Sequence, residues 1–338
     1  MTTPVPAPAG APERAPRAVV VHDWRDRAAE HAARADDLTA VWRAARHRRE
    51  KHAVEDFLFT YYPTRASHLR RWHAGVGAVV PAPRGDERYG WRWYRTTALP
   101  DGVDGVTLDV PAFVADRGEA VRYVRALVGA TAARPGTFGC FGLHEWAMVY
   151  RDAAVGRDHR HPLPLRLGHD GTDAVVESHR IGCSHVDAYR FFTPEARDAN
   201  ELRPTRERQV AMEQPGCLHA NMDLYKWASK LGPAVPGDLL LDTFELARDI
   251  RYTDMAASPY DVSAYGVEPV AIETPEGKAE YVRRQRGFAG RANRLRHRLV
   301  GVCDALLGPD RVADATGPAV GGRGERRSSG ITGGSRPS

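Results

Sequence analysis

Apolar residues recur at helical spacing along most of the chain. Asp23 is a suitable N-cap for a long Ala- and Arg-rich helix to about residue 49, and a second helical stretch continues from residue 50 until Pro63 stops it. Further amphipathic patterns predict helices over six segments: residues 111–131, 137–150, 205–214, 219–231, 236–256 and 275–307. The chain is therefore expected to be mainly α-helical.

Two short stretches alternate instead with the period of a β-strand. Leu163, Leu165 and Leu167 alternate in PLPLRLG, and a second alternation follows in AVVESHRI. HDGTD lies between them, so the sequence predicts an antiparallel hairpin over residues 162–181 that turns at Asp170-Gly171. Residues 75–105 are rich in Gly, Pro and aromatic side chains, which predicts loop with short strands.

These patterns together predict an α+β fold in which one mainly helical catalytic domain, residues 22–307, contains a small antiparallel sheet. Residues 1–21 are rich in Pro and Ala, and residues 308–338 are rich in Gly, Arg and Ser. Such compositions bury little apolar surface, so both ends are expected to be disordered. The segment between them is long enough to build its own core.

Charge and cysteine content narrow the classes of function. The 338 residues include 48 basic and 43 acidic side chains, a formal net charge of +5, which permits an anionic partner without requiring one. No stretch of about 18 apolar residues occurs, so no membrane partner is expected and a cytoplasmic location is predicted. The four cysteines lie far apart without a CxxC pair, which argues against a disulfide framework or a Cys-only zinc site.

Histidine is concentrated in one part of the chain, because seven of the fourteen lie between residues 140 and 219. His219 and Asp223 are four residues apart on a predicted helix, so their side chains share one face and can hold one ion. His179 and His185 flank a Gly-containing turn, and His144 lies in LHEW. Imidazoles and carboxylates suit zinc or non-haem iron, so a divalent metal is predicted on His144, His179, His185, His219 and Asp223.

A metal-free site would use the same part of the chain. In that case His185 or His219, paired with Asp187 or Asp223, acts as a general base with a shifted pKa, and Glu145 is the alternative acid. The candidate catalytic residues are then Glu145, His185 and Asp187. Histidines also serve as buried hydrogen-bonding residues, in which case the cluster is structural.

Four motifs carry a family resemblance: EDFLFTYY, CSHVDAYRFF, EQPGCLHANMDLYKW and MAASPYD. Together they resemble a family of bacterial proteins of about this length that is commonly labelled 3-methyladenine DNA glycosylase, and the likeness covers about residues 22–305. The resemblance implies hydrolysis of the N-glycosidic bond of an alkylated purine, with the damaged base flipped into an aromatic pocket. It assigns no residue a catalytic role.

Three hypotheses of function remain open at this point. The first is a metal-dependent enzyme acting on a small or medium substrate, and the second is a glycosylase acting on damaged DNA. The third is a non-catalytic nucleic-acid-binding protein. A metal enzyme requires several imidazoles that converge, whereas a glycosylase requires a basic face beside stacked aromatic rings and one carboxylate. We expect at least three of the five predicted ligands to surround one small cavity.

Overall fold

A small sheet occupies the N-terminal part of the computed structural model, which describes residues 18–62, 64–99, 101–152 and 163–309. Its strands are β1 (Val19–Val20), β2 (Ala78–Val80), β3 (Tyr94–Ala98) and β4 (Asp104–Leu108). They lie in the order β1-β2-β4-β3. β4 pairs antiparallel with both β2 and β3, whereas β1 pairs parallel with β2. β1 therefore lies before residue 22, where the sequence places the start of the domain.

Helices make up most of the described chain, so the predicted mainly helical α+β class is confirmed. Four long helices follow the sheet along the chain: α5 (Val110–Ala133), α11 (Leu218–Leu231), α12 (Gly237–Ala256) and α13 (Pro275–Leu307). The others are α1 (Trp24–Leu38), α2 (Ala40–His47), α3 (Asp56–Thr60), α4 (Ala66–Leu69), α6 (Leu143–Ala147), α7 (Gly168–Glu177), α8 (Val186–Tyr189), α9 (Pro194–Ala199) and α10 (Gln209–Met212).

The long helices are the elements that the sequence predicts best. α13 begins behind Thr274, whose side chain accepts a hydrogen bond from the Gly277 amide at 3.0 Å, as its N-cap position predicts. α11 lies at the centre of the helical part, where it packs against α5, α12 and α13 and buries nearly all of its side chains. A helix buried on all sides presents any polar residue it carries to the interior of the protein.

The predicted hairpin over residues 162–181 is wrong. Most of that segment forms α7, because Thr172, Val175 and Val176 are three and four residues apart and bury one helical face. Leu165 forms only an isolated bridge, with Tyr260, and Ile181 forms another, with Asn200. The antiparallel pairing of this fold lies instead in the segment that was predicted as loop with short strands.

The predicted helix over residues 137–150 is reduced to the five residues of α6. Phe141 and Gly142 both have positive φ, 46° and 73°, and this left-handed turn separates α6 from the chain before it. A Cβ atom at Gly142 would lie 3.3 Å from Tyr281 Cε2, so the turn also packs closely against α13. The turn fixes where α6, and with it His144, meets the core.

Several N-terminal predictions are also corrected. The predicted long helix is divided into α1 and α2, and only α3 forms in the stretch after residue 50. Gly75 and Gly77 lead into β2, within the segment that is predicted as loop with short strands. No helix in the described ranges combines the length and the apolar character needed to cross a bilayer. The predicted disordered ends fall almost wholly outside the described residues.

Candidate metal centre

α11 presents three polar side chains to the protein interior. His219, Asp223 and Lys226 recur four and three residues apart, so they follow one face of the helix as the sequence predicts for the first two. His219 is 5% exposed, and Asp223 is completely buried. This face of α11 forms one wall of the candidate site.

α6 and the end of α12 form the opposite wall. The indole of Trp146 donates a hydrogen bond to the Ala257 carbonyl at 2.8 Å, which joins the two helices. The contact places His144 Nε2 2.9 Å from Asp254 Oδ1, and both side chains are buried. Because the pKa of His144 is raised, its imidazole is protonated and the two atoms form a buried ion pair.

His144, His219 and Asp254 form one compact group. Each offers a ligand atom, and these atoms lie within 4.8 Å of one another. The rings of His144 and His219 meet nearly at right angles with their centroids 4.4 Å apart. Two ligand atoms that bind one ion at about 2.0–2.1 Å lie about 2.9–3.4 Å apart, so the His144–Asp254 distance suits a shared ion.

His185, Asp187 and Asp223 form a second group beside the first. The planes of the His185 and His219 rings are 29° apart and their centroids 5.3 Å apart, so the two groups are in contact. His185 is fully buried, and its Nε2 lies 3.5 Å from both Asp223 Oδ2 and Glu213 Oε1. The histidines and carboxylates of both groups form one buried polar cluster.

Lysine and arginine side chains already pair with the carboxylates of the second group. Lys226 Nζ donates to Asp223 Oδ2 at 2.9 Å and to Asp187 Oδ2 at 3.0 Å, and Arg206 also pairs with Asp187. In the first group the guanidinium of Arg251 donates to Asp254 Oδ2, at 3.2 Å, and leaves Oδ1 facing His144. The first group is therefore the better candidate for an added cation.

The electrostatics of the first group leave His219 and Asp254 unprotonated and His144 protonated. Burial would lower the pKa of His144, but the adjacent Asp254 carboxylate outweighs it and raises that pKa well above its usual range. Burial, with the nearby His144, lowers the pKa of His219 far below its usual range, so this imidazole is neutral. The pKa of Asp254 is lowered despite burial, because His144 stabilises the carboxylate. A metal would have to displace only the proton of His144.

The structure brings together four of the five predicted ligands: His144, His185, His219 and Asp223. His179 is not among them, since it lies just after α7, where its Nδ1 contacts the Val175 carbonyl at 2.6 Å. It belongs to neither group of candidate ligands in the described ranges. The hairpin that was expected to bring it to the site is not formed.

The three predicted catalytic residues have different surroundings. Glu145 is buried and accepts a hydrogen bond from Arg251 at 3.0 Å, which suits a structural ion pair better than an acid. His185 lies in the buried polar cluster. Asp187 is held by Lys226 and Arg206, and these cations lower its pKa although burial opposes the shift. His159 and His161, which contribute to the histidine concentration, lie outside the described residues.

Sequence reasoning missed Asp254, Arg251 and Lys226. Asp254 and Arg251 share a face of α12 with the buried Ala247 and Ile250. A charged pair on the apolar face of a predicted helix is a sign of a buried polar site, and this pattern was available in the sequence. Lys226 could have been found in the same way, as the residue that extends the His219–Asp223 face.

A cleft of about 490 Å³ reaches the cluster from the surface. We call it the basic cleft, and eight residues line it: Phe57, Thr60, Tyr61, Asp187, Arg190, Phe191, Arg206 and Lys226. Lys226 connects the cleft to the cluster, because its ammonium contacts the cleft residue Asp187 and the buried Asp223.

Comparison with protein-family models, with curated proteins and with solved structures gave no match to this chain.

Proposed function

We propose that the protein is a metal-dependent enzyme whose divalent ion, zinc or non-haem iron, binds between His144, His219 and Asp254. One observation carries the proposal: two buried ligand atoms, His144 Nε2 and Asp254 Oδ1, lie 2.9 Å apart beside the neutral His219 ring, which is the separation of two donors on one ion. In place of the His144 proton, a divalent cation would bind both atoms and a ring nitrogen of His219. Two imidazoles and one carboxylate leave coordination positions open, as catalytic zinc and iron sites require.

When bound, the ion would supply a Lewis acid or an activated water for a small or medium substrate. The chain's own residues have separate tasks. Arg251 donates to one oxygen of Asp254 and so fixes which oxygen faces His144. Asp223 lies 3.5 Å from His185 Nε2 and pairs with Lys226, which lines the basic cleft, so Lys226 can hold or pass a proton to a bound substrate.

The metal content of protein purified without a histidine tag tests this proposal. We expect about one equivalent of zinc or iron per chain, and a near-complete loss in His219→Ala and Asp254→Ala, since coordination requires donors in the right number and geometry. His179→Ala is the matched control, because its imidazole lies outside the cluster. A parent protein that neither carries nor takes up zinc or iron would contradict the proposal, as would an equal loss of metal in the His179 variant.

A second candidate function, 3-methyladenine-type DNA glycosylase, is favoured by one feature of the basic cleft. Phe57 and Tyr61 stack with centroids 5.0 Å apart and planes 10° apart, beside the single carboxylate of the cleft, Asp187. A flipped base stacks on such rings, and an ionised carboxylate stabilises the positive charge that develops on the sugar as its bond to the base breaks.

Release of 3-methyladenine from alkylated duplex DNA tests this second candidate. The glycosylase hypothesis predicts release by the parent protein and a loss of at least about a hundredfold in Asp187→Asn. Asp198→Asn changes an exposed carboxylate that does not line the cleft and is the control. Absence of base release by the folded parent protein would exclude this function.

A further inference from the structure

We infer that the basic cleft binds a small ligand in which a planar ring carries an anionic group, such as a phosphate or carboxylate. The inference names the substrate class of the proposed enzyme and rests on that proposal. It also makes a binding prediction that does not need the metal.

Charge at the cleft points to an anion. Its lining includes three cationic side chains, Arg190, Arg206 and Lys226, and one carboxylate, Asp187. All three cations approach that carboxylate, which therefore orients them without neutralising them all. The side chains of Arg190 and Arg206 remain about half exposed, at 53% and 50%. Their remaining N–H groups are available to an oxyanion that enters from solvent.

The arginine nearest the cluster is held in place from two sides. Arg206 pairs with Asp187 and also donates from Nη1 to Gln209 Oε1 at 2.8 Å. Gln209 is itself buried and receives a hydrogen bond from Tyr123 at 2.9 Å. A guanidinium fixed in this way loses less conformational entropy on binding an anion than a free surface arginine does.

The aromatic wall of the cleft suits a ligand that has a flat ring. Phe57 and Tyr61 present nearly parallel rings, and the guanidinium of Arg251 lies 4.2 Å from the centroid of the Phe57 ring. Arg251 also binds Asp254, so it fixes both the aromatic wall and a proposed metal ligand. A ring stacked on this wall, with its anionic group toward Arg206, would lie between the cleft mouth and the buried cluster.

Binding of 1-naphthyl phosphate, measured by calorimetry on the full chain, tests the inference, with neutral 1-naphthol as the comparison compound. We expect the phosphate to bind at least tenfold more tightly than the naphthol. Arg206→Gln should weaken its binding about tenfold, because one charge-assisted contact is lost. Phe57→Leu should weaken it several-fold. Arg208→Gln removes an exposed arginine outside the cleft and should change the affinity by less than twofold.

Metal content and melting temperature measured on the same variants separate this inference from the proposed function. Arg206→Gln should keep its metal and its fold, and His219→Ala should lose metal but still bind 1-naphthyl phosphate. A parent protein that binds naphthyl phosphate but no metal would overturn the proposed function and leave the inference standing. Equal affinity of the parent and Arg206→Gln would overturn the inference. Binding to duplex DNA, but not to naphthyl phosphate, would also overturn it and would favour the glycosylase.

Discussion

Lys226 shows, at the scale of single residues, how the buried charges of this protein depend on one another. Its ammonium contacts both Asp187 and the fully buried Asp223. These contacts raise the pKa of Lys226, although burial opposes the shift. A buried carboxylate without its cation would have to take up a proton or draw in water.

We therefore expect Lys226→Met to lower the free energy of unfolding by about 3 kcal/mol, the usual cost of leaving one member of a buried ion pair alone. The double variant Lys226→Met/Asp223→Asn should recover part of this loss, because it removes the uncompensated charge. Lys230→Met, at an exposed position on the same helix, is the control and should have little effect. Urea denaturation at neutral pH measures all three, and a Lys226→Met protein as stable as the parent would refute the argument.

Candidate residues could be predicted where the contact is local in sequence. His219 and Asp223 were predicted together because one helix brings them onto one face, whereas His179 depended on a hairpin that does not form. Asp254 lies 35 residues after His219 on another helix, so spacing alone gave no reason to join them. The metal group is a product of how α6, α11 and α12 pack.

At the scale of elements, the sequence predicted long helices well and short segments poorly. α5, α12 and α13 have enough apolar repeats to define a helical face, whereas α7 has only ten residues and two glycines. Its apolar positions satisfy a helical spacing and a strand spacing about equally, and the Asp170-Gly171 pair imitates a hairpin turn. Tertiary packing, which a single sequence does not show, decides between the two.

Trp146 should control both stability and the metal site, because it joins α6 to the end of α12. The side chain is fully buried and its indole N–H donates to the Ala257 carbonyl. Trp146→Phe removes that hydrogen bond and leaves a small void, so we expect a loss of about 2 kcal/mol in the free energy of unfolding. Metal affinity should fall about tenfold, since His144 and Asp254 are no longer held at the distance that a shared ion requires.

Metal titration and thermal denaturation of Trp146→Phe measure the two effects. Phe59→Leu, which changes a partly buried aromatic residue away from α6, is the control for a general loss of packing. Weakened metal binding in both variants to the same degree would show that the affinity follows overall stability and not the α6–α12 contact.

At the scale of the whole molecule, the lowered pKa of His73 predicts a loss of stability in mild acid. Burial, together with the nearby Arg71, lowers the pKa of His73 to about 3, whereas the same side chain in the unfolded chain titrates near 6.5. Between these values only the unfolded state binds the proton, so stability falls as the pH decreases from about 6.5 toward 3. His73 also contacts the Tyr94 hydroxyl at 2.8 Å, which joins the segment after α4 to β3.

His73→Gln should therefore reduce the dependence of stability on pH between 6.5 and 4.5. His68→Gln, at an exposed position, should leave the slope unchanged. Denaturant unfolding at a series of pH values gives the comparison, and identical slopes for the parent and His73→Gln would contradict the pKa shift.

A metal-edge anomalous diffraction map from crystals of protein purified without added chelator tests the central proposal most directly. We expect one zinc or iron peak that lies about 2.0–2.2 Å from each of three atoms: His144 Nε2, a ring nitrogen of His219 and Asp254 Oδ1. Crystals soaked with zinc that show these three side chains without a peak between them, or a peak bound elsewhere, would contradict it.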